Sequence, residues 1–195
     1  MSSRGPNIAK VVVKIGGSLL LRPDLGTAIE DWLVDRFPTT QVNLIVGGGA
    51  IINAFRQLDA IHSLDPVELH WQCVAALRHT SEIVARLIPK CGVIDSAESF
   101  NSHRQSVTMQ VRYVIIPDTF YHRTSGDCLP CDWTTTSDSI AALLANKISA
   151  DRLVLLKSCD IPQNIDLYEA GRLGIVDSVL PTIVGRHRVE LYELP

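Results

Sequence analysis

Short apolar runs alternate along this chain with segments in which apolar residues recur every three or four positions. The runs are rich in Val, Ile and Leu, which predicts the strands of a largely buried sheet. They lie at residues 11–15, 42–46, 93–94, 111–116, 153–156 and 189–194, with the last run expected at the edge of the sheet.

The segments between these runs predict helices. Residues 24–37 place Leu25, Ile29 and Leu33 on one face with the 3.6-residue period of a helix. Further helices are predicted at 50–58, from residue 66 to about 87, and after residue 137, whereas 101–110 is predicted to be an exposed hairpin or loop. The long apolar stripe of the 66–87 helix could also face a second subunit.

This alternation favours an α/β fold of three layers, in which a mostly parallel central sheet lies between two layers of helices. The chain has 195 residues, of which 46% are apolar, and this is enough for one domain with a sizeable core. We therefore expect a single domain over residues 9–195, preceded by a flexible arm at 1–8.

The first strand ends in the motif Lys-Ile-Gly-Gly-Ser at residues 14–18, which is suited to binding phosphate. Glycines let backbone N–H groups approach an anion, and Lys14 adds a full positive charge. The motif matches neither the P-loop nor the dinucleotide fingerprint, because their glycine spacings do not occur here. A Gly-Gly pair alone is more often an ordinary turn.

Three later motifs strengthen the case for a ligand site. Three consecutive glycines follow the second strand, and their entropic cost favours a close approach of backbone to ligand. Ser137 is the predicted N-cap of a helix with Asp138 in its first turn, where a carboxylate also complements the helix dipole. Lys157 ends the next strand, where it either points into the ligand crevice or pairs structurally with Asp138 or Asp160.

These four motifs, in this order, resemble the amino acid kinase superfamily, which includes acetylglutamate, glutamate 5-, aspartate, uridylate and isopentenyl phosphate kinases. The resemblance covers about residues 9–160. It implies that the transferring phosphate is held by Lys14, Gly16, Gly17 and Ser18. It further implies that the acceptor faces Gly47, Gly48 and Gly49, that Asp138 orients the catalytic lysines, and that Ser158 and Asp160 lie with the nucleotide.

Within that superfamily, the strings at 70–71, 129–133 and 136–142 resemble a short subgroup related to the kinase that phosphorylates aminomethylfuranylmethyl phosphate in methanofuran synthesis. The Gly-Thr-Gly-Gly-Met loop of the superfamily, with its nucleotide-binding lysine, is missing from this sequence. The resemblance therefore implies an acceptor-binding half at about 9–116 and a shortened nucleotide-binding half at 117–195. Lys157 would supply the second cation.

Several residues near the predicted acceptor site allow two interpretations. Asn53 and Arg56 follow the triple glycine, and Arg56 either contacts an acceptor carboxylate or phosphate or belongs to a solvated helix face. Residues 118–133 are predicted to form a lid that carries Trp133 to the ligands, with Arg123 as a further candidate, and the alternative is a surface excursion. His70 fits a histidine of the core or of an interface at least as well as it fits a contact to a ligand.

Composition limits which partners and which cellular location the sequence favours. A net charge of −3 without a Lys/Arg run argues against nucleic acid, and no apolar run approaches the roughly 18 residues of a membrane span. Five cysteines and no signal-peptide pattern favour a reducing, cytoplasmic location. Cys128 and Cys131 have the spacing of a redox pair or half a zinc site, but two further ligands at diagnostic spacing are lacking, so no metal site is expected.

Together with the resemblance, these features predict a homo-oligomeric kinase that uses ATP and Mg²⁺. Lys14 and Lys157 would neutralise the γ-phosphoryl group, and Asp138 would orient them, because nearby cations lower a carboxylate pKa too far for a base. A carboxylate or phosphate acceptor, already ionised, needs no base. The alternative is a protein that binds a nucleotide or oxyanion without turnover, as the related molybdate storage proteins suggest.

Overall fold

The structure is a computed structural model that describes residues 9–106, 108, 111–185 and 188–194. The arm predicted at 1–8 lies outside the described residues. The described strands are β1 (Lys10–Ile15), β2 (Gln41–Val46), β3 (Cys91–Ile94), β4 (Arg112–Ile115), β5 (Arg152–Lys157) and β6 (Arg188–Glu193). They form one sheet in the order β3-β4-β2-β1-β5-β6, and every neighbouring pair is parallel, with β6 at an edge as predicted.

The helices that connect these strands cover both faces of the sheet, which confirms the predicted three-layer fold. They are α1 (Leu25–Arg36), α2 (Gly49–His62), α3 (Pro66–Leu87), α4 (Ala97–Gln105), α5 (Ser137–Ile148), α6 (Leu167–Arg172) and α7 (Leu180–Ile183). No helix among these residues combines the length and apolar character required to cross a membrane.

The side chains of β1 alternate between two hydrophobic cores, one on each face of the sheet. Val11 and Val13 pack in the core that contains Leu25, Ile29 and Leu33 of α1. Val12 packs in the other core, with Ile140, Leu144 and Ile148 of α5. Because strand side chains alternate, the next residue on the α5 face after Val12 is Lys14.

The side chains of β5, which pairs directly with β1, alternate between the same two cores. Leu153 and Leu155 pack in the α5 core, whereas Val154 and Leu156 pack in the α1 core. Lys157 therefore continues the α5 face, and the register Lys14↔Leu155 brings the two lysines to the same edge of the sheet. Two lysines that lie far apart in sequence thus come together beneath the first turn of α5.

Two local predictions are wrong. Residues 101–110 were expected to form a hairpin or loop, but Ala97–Gln105 is helical because Ser96 and Ser99 form a capping box and Phe100 and His103 are buried. Residues 107, 109 and 110 lie outside the described part of the chain. The N-cap of α5 is Thr136, whose side chain accepts from the N–H of Asp138, and Ser137 is the first helical residue.

Candidate active site

Asp138 lies between the two strand-end lysines and contacts both. Lys14 Nζ is 2.7 Å from Asp138 Oδ1, and Lys157 Nζ donates a hydrogen bond to Oδ2 at 2.7 Å. The contact with Lys14 is an ion pair, and Asp138 thus has one lysine at each oxygen. All three residues are buried, with between 4% and 8% of their surface exposed.

Burial and charge act in opposite directions on this cluster. Burial disfavours the ionised form of Asp138, but the attraction of Lys14 and Lys157 outweighs it and holds the pKa of this carboxyl below its usual value. Burial lowers the pKa of Lys157, and repulsion by Lys14 lowers it further, against the attraction of Asp138. Two cations share one carboxylate, so the cluster has one positive charge in excess, which favours an anion beside it.

The two glycine-containing loops pack backbone against backbone. A Cβ atom on Gly17 would lie 2.3 Å from the N atom of Gly49, and Gly49 itself has a φ of +54°. Side chains at these positions would push the loops apart. The triple glycine was interpreted as a requirement for close approach to a ligand; the structure shows that close approach of the two loops already demands it.

This packing also determines which backbone donors are engaged. The N–H of Gly16 donates to the carbonyl of Leu156 at 2.9 Å, and the N–H of Gly47 donates to that of Ile15 at 3.0 Å. Both bonds continue the sheet. The candidate donors for a phosphate are therefore the N–H groups of Gly17 and Gly48, two residues that line the adjoining cavity.

A cavity of about 810 Å³ opens between the glycine loops, α2, α3, the start of α5 and the segment after α6. The predicted site residues that line it are Gly17, Ser18, Gly48, Gly49, Asn53, Arg56, Trp133, Ser137, Asp138 and Lys157. The others do not line it: Lys14 lies behind Asp138, Gly16 and Gly47 lie within the loops, and Ser158 and Asp160 are exposed beyond β5.

Ser158 is nevertheless joined to the first glycine loop. Its Oγ lies 2.6 Å from the Oγ of Ser18, so this hydrogen bond links the ends of β1 and β5. The assigned roles of Ser158 and Asp160 at the nucleotide stay predictions.

Arg56 and Trp133 form one wall of the cavity. The guanidinium of Arg56 stacks on the Trp133 ring at 4.8 Å, and Trp133 Nε1 donates to Asp59 Oδ2 at 2.7 Å. Among the described residues no carboxylate forms an ion pair with Arg56. Arg56 therefore lies in the cavity lining with its guanidinium supported by an aromatic ring and not neutralised by a carboxylate from the described part of the chain.

The segment at 118–133 is anchored at several points along its length. Asp118 pairs with Arg78 at 2.6 Å, Phe120 and Tyr121 are buried in the core, and Asp127 pairs with Lys147 at 3.0 Å. Only its last residues, Asp132 and Trp133, line the cavity.

Arg123, the further candidate on this segment, lies away from the cavity. Its guanidinium pairs with Glu68 at the start of α3, outside the cavity lining. The attraction of a carboxylate at the first turn of α3 explains the difference.

His70 lines the cavity but is held by the protein, in agreement with its interpretation as a core histidine. Its Nε2 lies 2.9 Å from the Tyr121 hydroxyl, and its ring also packs against Trp71. Burial lowers the pKa of His70, so its ring is neutral at pH 7.

Two residues of the site were missed. Thr135 is buried and lines the cavity, and its hydroxyl has no hydrogen-bond partner among the described residues. Asp177, in the segment before α7, also lines the cavity and accepts hydrogen bonds from the first turn of α5. Neither residue has a local sequence signal. Thr135 is one of three consecutive threonines, and Asp177 bonds to residues about 40 positions away.

The wall formed by α3 and α5 is apolar. It is lined by Leu69, Cys73, Val74, Leu77 and Ile140, with Ile52 of α2 beside them. The cavity thus combines an apolar wall with cationic groups at Lys157 and Arg56, an arrangement that can hold an organic body with an anionic end.

All five cysteines are free thiols, and Cys128 is exposed. Among the described residues, no group of three or more His, Cys, Asp or Glu side chains is placed to hold a metal ion. The expected absence of a zinc or redox role for Cys128 and Cys131 stays a prediction.

Comparison with known proteins places these features in a family. Residues 9–161 match the amino acid kinase family. No curated protein sequence matches the chain. The crystal structure of uridylate kinase from Archaeoglobus fulgidus is similar over 95% of this chain and 90% of that one, with 19% identity and a TM-score of 0.63.

Two bacterial UMP kinase structures show the same likeness. That from Ureaplasma parvum is 12% identical over 96% of this chain and 89% of that one, with a TM-score of 0.64. That from Bacillus anthracis is 14% identical over 95% of this chain and 87% of that one, with a TM-score of 0.64. At these identities the likeness shows that the fold is shared.

Proposed function

Because the chain belongs to the amino acid kinase family, we propose that it is a small-molecule kinase that transfers the γ-phosphoryl group of ATP to a carboxylate or phosphate acceptor. The observation that carries the proposal is the buried cluster of Lys14, Asp138 and Lys157 beside the cavity. An excess buried cation is costly unless an anion accompanies it, and a phosphate supplies that anion.

In this proposal the lysines act on the moving group. An acceptor oxygen forms a bond to the γ-phosphorus as the bond to the β-γ bridging oxygen breaks, and ADP leaves. Lys157 and Lys14 neutralise the oxygens of the transferring group, and the N–H groups of Gly17 and Gly48 contact them. Asp138 keeps the two amines in place, and its lowered pKa makes it a poor base.

Mg²⁺ enters this proposal with ATP, as part of the nucleotide substrate. Both oxygens of Asp138 already face lysines, and the described residues form no acidic cluster. Such a site suits a cation that is held mainly by phosphates and water, as Mg²⁺ commonly is.

The acceptor would lie against α2, α3 and Trp133. The apolar wall supports an acceptor with a small organic body, and Arg56, Asn53 and the unpartnered hydroxyl of Thr135 are placed to contact polar groups on it. Aminomethylfuranylmethyl phosphate has this form, a ring with an anionic phosphate, and is the specific acceptor we propose to test first.

Release of ADP from purified protein and MgATP tests the function. The acceptor panel is aminomethylfuranylmethyl phosphate, UMP, and simple carboxylates and phosphates, and phosphorus NMR of the product identifies the new bond. Turnover of one acceptor that the Lys14→Ala variant loses supports the proposal. ATP binding in calorimetry without turnover of any acceptor would instead establish the second candidate, a non-catalytic nucleotide or oxyanion binder, which the short helices after β5 favour.

We also infer a homo-oligomer in a reducing, cytoplasmic setting. Helix α2 has no buried residue although Ile51, Leu58 and Ile61 lie on it, and this apolar surface favours a protein partner. The five free thiols support the reducing location.

A further inference from the structure

The carboxylate of Asp177 is buried at the N-terminus of α5, the helix that carries Asp138. Its Oδ2 accepts hydrogen bonds from the N–H of Thr136 at 2.8 Å, the hydroxyl of Thr136 at 2.8 Å and the N–H of Ser139 at 3.0 Å. Its Oδ1 accepts from the N–H of Leu180 at 2.8 Å and from the Ser139 hydroxyl. Five donors thus converge on one carboxylate.

One of these donors connects Asp177 to Asp138. The hydroxyl of Thr136 has a single proton, which it donates to Asp177, so a lone pair of the same oxygen is directed to the N–H of Asp138 at 3.2 Å. The backbone of Asp138 is therefore fixed by a chain of two hydrogen bonds that begins at Asp177. The other end of that residue is the carboxylate that contacts both lysines.

We propose that Asp177 is a positioning residue for phosphoryl transfer, which holds the first turn of α5 so that Asp138 keeps Lys14 and Lys157 aligned. This inference rests on the proposed function. Asp177 also accepts from two N–H groups at the α5 terminus, those of Thr136 and Ser139. The segment between β5 and β6 thereby contributes to the site through α5.

Asp166 provides a matched control in the same segment. It caps α6 by accepting from the N–H of Glu169 at 2.8 Å, and it does not line the cavity. Asn caps a helix about as well as Asp, so Asp166→Asn should leave α6 intact. At Asp177 the same substitution replaces one carboxylate oxygen by an amide NH₂, and each of the two oxygens accepts from at least two donors, so at least two donors lose their acceptor.

The experiment compares Asp177→Asn with Asp166→Asn by steady-state kinetics and by amide hydrogen exchange. Asp177→Asn should lower kcat by about 10-fold to 100-fold, with the KM for ATP changed less than about 3-fold, because alignment is lost while nucleotide contacts remain. Exchange of the Ser139 and Ile140 amides should quicken in this variant. Asp166→Asn should match the parent in both measurements.

A second pair of variants tests the link itself if Asp177→Asn does not fold. Thr136→Val removes the hydroxyl that joins Asp177 to Asp138, whereas Thr136→Ser keeps it. The Val variant should lose kcat, and the Ser variant should lie closer to the parent.

Two results would overturn the proposal: a kcat of Asp177→Asn or Thr136→Val equal to that of the parent, or an equal loss in Asp166→Asn. If the parent phosphorylates no acceptor, the proposed function fails. The comparison of amide exchange rates then still tests whether Asp177 positions the first turn of α5. Faster exchange confined to the first turn of α5 then supports positioning by Asp177, and unchanged exchange overturns it.

Discussion

A single buried carboxylate, Asp138, faces two lysines that would repel each other without it. Its lowered pKa keeps it ionised, and its two oxygens divide the amines between them. The sequence predicts this arrangement, because Lys14 and Lys157 end neighbouring strands and Asp138 begins a helix. The remaining positive charge makes Lys157, which lines the cavity, the candidate for direct contact with phosphate, and Lys14 adds its charge through the same cluster.

Lys14→Ala should keep the fold and lower kcat by about 10²-fold to 10³-fold, because it removes one preorganised charge aimed at the transferring group. Lys10→Ala is the control, since Lys10 lies on the same face of β1 but its Nζ contacts the carbonyl of Arg104, away from the cavity. Rates of ADP release from the three proteins would show the difference. Near-parental activity of Lys14→Ala would refute its assignment.

Lys157 should affect both binding and rate, because it lines the cavity that Lys14 does not reach directly. Lys157→Met should raise the Kd for ATP and lower kcat together, and Lys157→Arg should recover binding better than rate because its fork is longer and differently shaped. Calorimetry and kinetics on both variants measure the split. If Lys157→Met binds and turns over ATP like the parent, Lys157 is structural.

Asp138→Asn should destabilise the protein by about 3–5 kcal/mol at pH 7, because two buried lysines lose their partner. The pKa of Asp138 is lower in the folded than in the unfolded state, so its contribution is present above the unfolded value, about 3.9, and is lost as pH falls through the folded value. Urea unfolding from pH 7 to pH 3 should therefore show the variant and the parent converging below about pH 4.

The exposed Asp31→Asn on α1 is the matched control, and its free energy of unfolding should stay within about 0.5 kcal/mol of the parent. A stability difference between Asp138→Asn and the parent that does not shrink in acid would contradict the pKa assignment.

Among the secondary-structure elements, those built from continuous apolar runs were predicted well. The parity of β1 and β5, together with their position at the carboxyl edge of a parallel sheet, is enough to bring Lys14 and Lys157 together. Periodicity likewise predicts α1 and α3. The amino acid kinase resemblance is confirmed at the level of the family.

The features that the sequence did not predict depend on contacts between residues distant in sequence or on helix capping. Helix α4 is short and polar, and its formation depends on a cap and two buried side chains. The pairing of Arg123 with Glu68 spans 55 residues, and the bonds from Thr136 and Ser139 to Asp177 span 41 and 38. No periodic pattern encodes such pairs, so tertiary packing alone reveals them.

The contact between the two glycine loops makes a steric prediction. Gly17→Ala should destabilise the protein by about 1–3 kcal/mol, because its Cβ would meet the backbone of Gly49. Gly171→Ala is the control, since Gly171 lies within helix α6 and a Cβ atom there would find its nearest neighbour at an ordinary contact distance of 3.8 Å. That control should be neutral or slightly stabilising. Equal melting temperatures for the parent and Gly17→Ala would contradict the close packing of the loops.

At the scale of the whole molecule, we expect the exposed surface of α2 to form the interface between subunits. Ile61 is 73% exposed and lies on a helix without buried residues. Ile61→Glu should lower the mass measured by light scattering toward that of one 21.4 kDa chain, while the melting temperature stays close to that of the parent. A parent protein that is already monomeric at micromolar concentration would refute the oligomer.

The strand order has a consequence for how the molecule is made. β1 is synthesised first yet lies inside the sheet, and one neighbour is β5; the N–H of Lys10 bonds to Asp151, 141 residues later. At roughly 5–20 residues per second, a ribosome needs on the order of ten to thirty seconds to supply that partner. During this interval the apolar β1 has an open edge, so we expect the nascent chain to need protection from aggregation, for example by chaperones, until β5 emerges.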